Sequence, residues 1–378
     1  MGHFLVDFML GIWPVFKTMA GLDLALAGFV AGGCVVFGEG IQGYVGALCD
    51  RGYQRILLFV GIGMPCAACF FGYSQSYVFF FCFYLCTCLG SAAFHPTAAS
   101  ILSNLNTINR SSLMGLFTAS GMLGLGISQV LYAWIHYSNN GSTAILALPS
   151  VVLAVITYFF MHGKVAIPAE KKQKTSSLSL YMRFLRIKEL RALYVSMLGN
   201  QIVLWSLVFL LPDFLQERGY APWVVFGGGH LFLMSGAALG PPVLGYVADR
   251  ISTRYVITFT SSFTLIGFYL LLAPAILTQE VLFGLLFMLG SMLGSVPPLI
   301  CALVAQMVPQ HKGVVSAFLM GFVWIFSESL GLGLSGYLAT LFSEAPATSA
   351  LALMGTVQIV SCFANLQLPK TDEEVVIA

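Results

Sequence analysis

The chain has 378 residues, of which 58% are hydrophobic and 8% charged, with a formal net charge of +2 and a mean hydropathy of +0.89. A soluble domain carries roughly 25% charged residues, so this composition excludes a water-facing surface of ordinary polarity. The small net charge gives nucleic acid no electrostatic foothold. Apolar stretches of about 20 residues with brief interruptions have the length of bilayer-crossing helices.

Twelve spans are predicted, at 3–20, 24–49, 55–73, 77–104, 112–136, 143–162, 190–212, 222–248, 255–275, 279–308, 314–342 and 346–367. The first 20 residues lack a basic head, so no cleavable signal peptide is expected there. Span three contains MPCAACFF with Cys66 and Cys69, and span four carries Cys82, Cys86 and Cys88. A CxxC metal or redox site needs polar neighbours and further ligands. The nine cysteines therefore read as small core residues, and no metal site or cofactor is expected. Span four then reads CLGSAAFHPTAASILSNL, where Pro96 removes the donor that would reach the carbonyl of Ala92 and predicts a kink beside His95. Pro297 and Pro298 predict a second kink, in span ten.

The connection between spans six and seven, KVAIPAEKKQKTSSLSLYMRFLRIKEL, holds most of the charge. Leu178, Tyr181, Met182 and Leu185 recur there at helical spacing beside Arg183 and Arg186, which predicts an amphipathic helix on the membrane surface. With both termini on the cytoplasmic side, only Lys17 and Arg218 among the 17 basic residues fall outside. That asymmetry is the signature of cytoplasmic loops. The expected organisation is a six-helix bundle at 1–162, a cytoplasmic linker at 163–189, a second six-helix bundle at 190–367 and a cytoplasmic tail at 368–378.

The two bundles repeat a loop. GALCDRGYQR follows span two and GYVADRISTR follows span eight, so Gly46, Asp50, Arg51 and Arg55 recur as Gly245, Asp249, Arg250 and Arg254. Plain positive-inside anchoring explains the arginines but not the recurring aspartate. A loop that bridges helix ends in one conformation and releases them in another explains both. Two related halves with a site between them near mid-membrane is a transporter architecture.

These loop residues, in this arrangement, resemble the major facilitator superfamily. HFLVD at 3–7, FHP at 94–96, FLLPDFLQERG at 209–219, GPPVLGYVADR at 240–250 and AQMVPQHKGVVSAFLMGF at 305–322 further resemble its fosmidomycin-resistance branch. Span five has the glycines of an antiporter-type motif in GMLGLGISQ, without its proline. The resemblance implies an all-α integral membrane protein of two pseudo-symmetric six-helix bundles. It also implies a secondary transporter driven by protons.

An ionised side chain at mid-bilayer costs about 2.5–3.5 kcal/mol on insertion scales, so such residues mark function or are held by partners. Asp7, Glu39, His95, His230 and Glu328 fall inside predicted spans. The resembled fold makes spans one and four neighbours, which would pair Asp7 with His95 and bring in His3, one turn from Asp7, as a proton- or substrate-responsive group. A static bond pinning a kinked helix is the alternative. The same fold packs span two on span eleven. Gly28, Gly32, Glu39, Gly43, Gly46 and Asp50 share one face of span two, and Gly321, Glu328, Gly331 and Ser335 one face of span eleven. Glu39 and Glu328 would then approach when the outer gate seals and share a proton, unless Glu39 turns aside to Gln42 or a hydroxyl. Trp13, Asn200, Gln201, Trp205, Ser291, Ser295 and Trp324 are expected to line a substrate cavity, with His230 as a cavity or packing residue lacking an obvious partner.

Proton-coupled efflux of a small amphiphilic or anionic solute is the expected function. A nutrient importer shares every feature but direction. A membrane enzyme would need a nucleophile with its base or a ligand cluster, and no HExxH or GxSxG is present. A monomer in the cytoplasmic (inner) membrane of a bacterium is expected, with solute, protons and lipid as its partners.

Overall fold

The computed structural model describes residues 1–104, 110–161, 185–273, 275, 277–307 and 312–368, and every regular element among them is helical. Nine of these helices are long and apolar enough to cross a membrane. One of them, Leu24–Tyr73, spans 50 residues and is interrupted at Gly52, whose φ of 93° suits a residue without Cβ. Division at that point, together with the shorter first and sixth segments, yields twelve spans. They are α1 (Gly2–Leu10 and Ile12–Met19), α2 (Leu24–Glu39 and Gln42–Leu48), α3 (Gln54–Gly63, continued as a 3-10 helix over Met64–Tyr73), α4 (Tyr77–Asn104), α5 (Arg110–Ser138), α6 (Ala147–Phe160), α7 (Lys188–Glu217), α8 (Gly229–Ala248), α9 (Thr253–Leu272), α10 (Gln279–Met307), α11 (Lys312–Ala339) and α12 (Pro346–Gly355 and Val357–Asn365).

Local chemistry sets several of these limits. Asp23 caps α2 by accepting from the Leu26 amide at 2.8 Å, and Pro346 occupies the first turn of α12. One departure from the expected spans is α7, which runs to Glu217 through Pro212. Its last turn ties down two other helices at the end remote from the loop motifs. Arg218 donates to the carbonyls of Leu272 and Ala273 at the end of α9, at 2.7 and 2.8 Å. Glu217 accepts from the amides of Ala347 and Thr348 at the start of α12, at 2.6 and 3.0 Å. A cation at a helix C-terminus and an anion at a helix N-terminus both complement the helix dipole. The kinks expected at Pro96, Pro297 and Pro298 do not interrupt α4 or α10, which continue through them. The linker helix expected around 178–186 lies almost entirely outside the described residues, as does the tail after Leu368.

The two halves meet through α2 with α11, α5 with α8, and α1 with α7. Adding six to each member of the α2–α11 pair, cyclically, gives the α8–α5 pair, so the interface obeys the repeat seen in the loops. Close approach depends on glycine. A methyl at Gly28 or Gly32 would run into the backbone of α11 at Leu332, Gly333 and Ser329, and one at Gly336 into Leu24 and Gly28. The expected face of α11 is thus rotated. Gly333 and Gly336 meet α2, whereas Gly331 meets α7 at Ile202, Trp205 and Ser206.

Candidate functional site

At the end remote from the loop motifs, the halves are joined by buried polar contacts. Lys17 of α1 is fully buried and forms an ion pair with Asp213 of α7. Thr18 donates to the same carboxylate at 2.9 Å, and the Lys17 ammonium sits 4.6 Å from the centre of the Phe209 ring. Beside this, His230 of α8 donates from Nε2 to the carbonyl of Leu125 in α5 at 3.1 Å, and a methyl at Gly227 would collide with Val130. His230 therefore has a partner the sequence does not reveal, and it bridges the two halves. Sequence reasoning misses Lys17 and Asp213 as a pair. The available signal is a lone cation in the otherwise uncharged segment IWPVFKTM.

Toward the other end the same helices part. A methyl at Gly43, Gly46, Gly115, Gly245 or Gly321 would meet nothing within 4 Å among the described residues. Leu116 on α5 and Leu239, Val243 and Tyr246 on α8 are exposed. The loop motifs stand apart too. Asp50 and Asp249 are exposed and make no ion pair among the described residues. Arg55 instead donates to the Tyr158 carbonyl at 2.6 Å and lies 3.8 Å from that ring centre, tying α3 to α6. Arg250 stacks on Tyr246 at 3.8 Å, and Arg254 reaches the Leu366 carbonyl at 3.4 Å. Arg51 is exposed.

Between these ends lies a compact polar cluster. His3 and Asp7, one turn apart on α1, meet His95 of α4. The two histidine Nε2 atoms are 3.0 Å apart. His3 Nε2 lies 3.2 Å from Asp7 Oδ2, and His95 Nε2 lies 3.2 Å from Asp7 Oδ1. Of the far nitrogens, His3 Nδ1 donates to the Phe117 carbonyl at 2.6 Å, and His95 Nδ1 lies 3.0 Å from both the carbonyl and the hydroxyl of Ser91. A carbonyl oxygen only accepts, so His3 Nδ1 carries hydrogen and, while that ring is neutral, its Nε2 is a bare acceptor. His95 Nδ1 either donates to the Ser91 carbonyl or accepts from the Ser91 hydroxyl, according to its tautomer. A hydrogen on His95 Nε2, in the neutral Nε2–H tautomer or in the imidazolium, satisfies the contact with His3 and Asp7.

Two further carboxylates border the cluster. Glu39 is within electrostatic reach of His95 and Asp7, and Glu328 of Glu39, Asp7 and His95. Glu39 turns to Gln42, whose side-chain amide donates to it, and no hydrogen bond joins Glu39 to Glu328 among the described residues.

The expected cavity residues divide. Trp205 of α7 and Trp324 of α11 stand edge to face, 6.4 Å between ring centres, with Trp324 partly exposed. Trp13 belongs instead to a closed aromatic core with Phe16, Phe71, Phe80 and Tyr84. Gln201 is buried and donates to Asn200 and to the Leu293 carbonyl of α10 at 3.1 and 3.3 Å. Ser291 and Ser295 bond back to carbonyls of their own helix at 2.8 and 2.6 Å. A methyl at Gly240 of α8 would strike Ser291. These four hold the second bundle together rather than face open space, because small and hydroxyl-bearing residues also serve close helix packing. The cysteines form no disulfide; Cys34, Cys49, Cys66, Cys69 and Cys88 are buried as expected, but Cys82 is exposed on the outer surface of α4.

The profile described as Major Facilitator Superfamily matches residues 1–237 and 223–376. No curated protein matches the chain. Among solved structures, the fold is similar to a bacterial homologue of the human lysosomal transporter Spinster in an inward-facing and occupied conformation. That match has a TM-score of 0.74 and 15% identity over 97% of this chain and 93% of that one. The same homologue, inward-facing and unoccupied, gives 0.69 and 14% over the same shares. The nucleoside transporter NupG, as a point mutant, gives 0.70 and 13% over 97% of both chains.

Proposed function

The chain belongs to the major facilitator superfamily, and from that premise we propose that this transporter moves a small amphiphilic or anionic solute outward in exchange for protons. It is a transporter and not an enzyme by family and fold. The observation that carries the reading is the polar asymmetry of the interface: sealed by Lys17–Asp213 and His230 at one end, parted at the other. If the basic loops face the cytoplasm, as the positive-inside rule requires, both termini are cytoplasmic and this conformation is open to the inside. Residues 1–162 and 190–367 then rock as two units about the linker 163–189. Asp50 with Arg51 and Asp249 with Arg250 engage when the inner end closes.

Coupling is assigned to Asp7, His95 and His3, whose mutual contacts between α1 and α4 would hold an exchangeable proton. Glu39 and Glu328 are the second coupling candidates, a carboxylate pair that would approach as the outer end seals and share a proton if Glu39 left Gln42. Trp205 and Trp324 supply the apolar wall for the solute. Resemblance to the fosmidomycin-resistance branch makes fosmidomycin the first solute to test, and the nucleoside transporter among the structural neighbours adds nucleosides to the panel. The protein is taken as a monomer of the bacterial cytoplasmic membrane.

The test uses proteoliposomes containing a pH-sensitive dye. Solute-evoked proton movement in the wild type, lost in His95→Ala and Asp7→Asn with folding intact, is the expected result. Normal movement in both variants would remove the cluster from coupling. An uptake assay of opposite sign, with solute and proton moving together, would replace export by import.

A further inference from the structure

We propose that His3, Asp7 and His95 form a binding site for one divalent transition-metal ion of the Zn²⁺ class. The inference goes beyond coupling, since such an ion would bind whether or not protons drive transport.

The donor atoms are already gathered. Ligand atoms of all three residues lie within 4.8 Å of one another, with the Nε2 atoms 3.0 Å apart and each 3.2 Å from an Asp7 oxygen. A tetrahedral ion with bonds of about 2.0–2.1 Å separates its ligands by about 3.3–3.4 Å. The triangle therefore needs to widen by only a few tenths of an ångström. Metal-ligating histidines characteristically donate their other ring nitrogen to a carbonyl or carboxylate, which fixes the tautomer and the ring plane. His3 does so here through the Phe117 carbonyl, and the Ser91 carbonyl lies 3.0 Å from His95 Nδ1, in place to do the same for a metal-ligating tautomer.

Independent features point the same way. Asp7 is 8% exposed, and its Oδ1 has His95 Nε2 as its neighbour at 3.2 Å, so a buried acceptor faces the space between the rings. Gly121 of α5 faces the cluster, and a methyl there would overlap Asp7 Oδ2 and the His3 ring. The space is kept by the lack of a side chain. The His95 side chain is 27% exposed, which leaves one side of the triangle accessible for the ion and for a water or solute as fourth ligand. Two imidazoles and one carboxylate suit Zn²⁺, Co²⁺ or Ni²⁺, whereas Mg²⁺ and Ca²⁺ prefer oxygen-only shells.

The test is a titration of the purified full-length chain, freed of any histidine tag, with Co²⁺ and then Zn²⁺ in detergent at pH 7.5. Visible absorption of tetrahedral Co²⁺, its displacement by Zn²⁺ and calorimetry of Zn²⁺ binding are recorded. One ion per chain is expected, with a rise in melting temperature on adding Zn²⁺. Affinity should fall at least 100-fold in His95→Ala and in the isosteric Asp7→Asn, should fall in Gly121→Ala, and should be unchanged in His136→Ala. Absence of one-to-one binding by the wild type would overturn the proposal. So would binding that survives in both His95→Ala and Asp7→Asn, which would mark the ion as adventitious. None of these readouts involves transport, so loss of proton coupling and loss of metal binding are separable.

Discussion

The two ends of the interface between the halves use the same helices and differ in what fills the gap between them. At the end bearing Lys17, Asp213 and His230, charge and hydrogen-bonding groups are buried and matched across α1–α7 and α5–α8. At the end bearing Asp50 and Asp249, equivalent helices carry glycines that touch nothing among the described residues, and charged groups that are exposed. A buried ion pair resists removal of one partner far more than an exposed charge does. The first end is therefore built to be held shut until something replaces its contacts, and the second to open and close at little cost.

Breaking the sealed end should have the largest effect. Lys17→Met leaves Asp213 buried without a counter-charge. A destabilisation of about 3–5 kcal/mol is expected, by analogy with broken buried pairs, and is read as a fall in melting temperature in detergent. Lys17→Met combined with Asp213→Leu should recover most of it, whereas an additive loss would show that the two side chains act separately. Next comes Gly336→Leu, which drives a side chain into the Leu24 and Gly28 backbone. Overpacking of this kind costs about 1–3 kcal/mol and should raise labelling of the sealed end by an impermeant thiol reagent. His230→Phe removes a single inter-half hydrogen bond, worth about 0.5–1.5 kcal/mol, and should shift the melting temperature only slightly. At the parted end, Asp50→Asn should leave stability within about 0.5 kcal/mol, as an exposed substitution does, yet slow solute turnover in proteoliposomes. An equal loss of stability at Asp50 and Lys17 would erase the distinction between the ends.

Much of this is legible in the sequence because bilayers constrain it so strongly. Span four is predicted at 77–104 and is helical over Tyr77–Asn104, since a long, mostly apolar run preceded by Ser74–Ser76 leaves little choice. The juxtaposition of His3, Asp7 and His95 follows from one-turn spacing on one helix and an intramembrane histidine on its neighbour. What the sequence conceals is rotation. Gly331 and Gly333 are two residues apart yet face α7 and α2 respectively, because each helical step turns by about 100°. A list of small residues does not say which neighbour each one meets. The same ambiguity assigns Trp13, Asn200 and Gln201 to a cavity wall, when burial puts them inside bundles. Lys17 reads only as a basic residue on the outer side, because its partner lies 196 residues away.

The most direct test compares both ends of one helix pair. On a cysteine-free background, spin labels at Gly115→Cys and Gly245→Cys report the parted end of α5 and α8, and labels at Asn139→Cys and Ala221→Cys report the sealed end. Pulsed dipolar spectroscopy in nanodiscs should give a broad distribution of long distances for the first pair and a narrow, shorter one for the second. Added transported solute should shift weight in opposite directions at the two ends. Distances that lengthen or shorten together at both ends, or a narrow distribution at the Gly115–Gly245 end alone, would contradict alternating access from the conformation described.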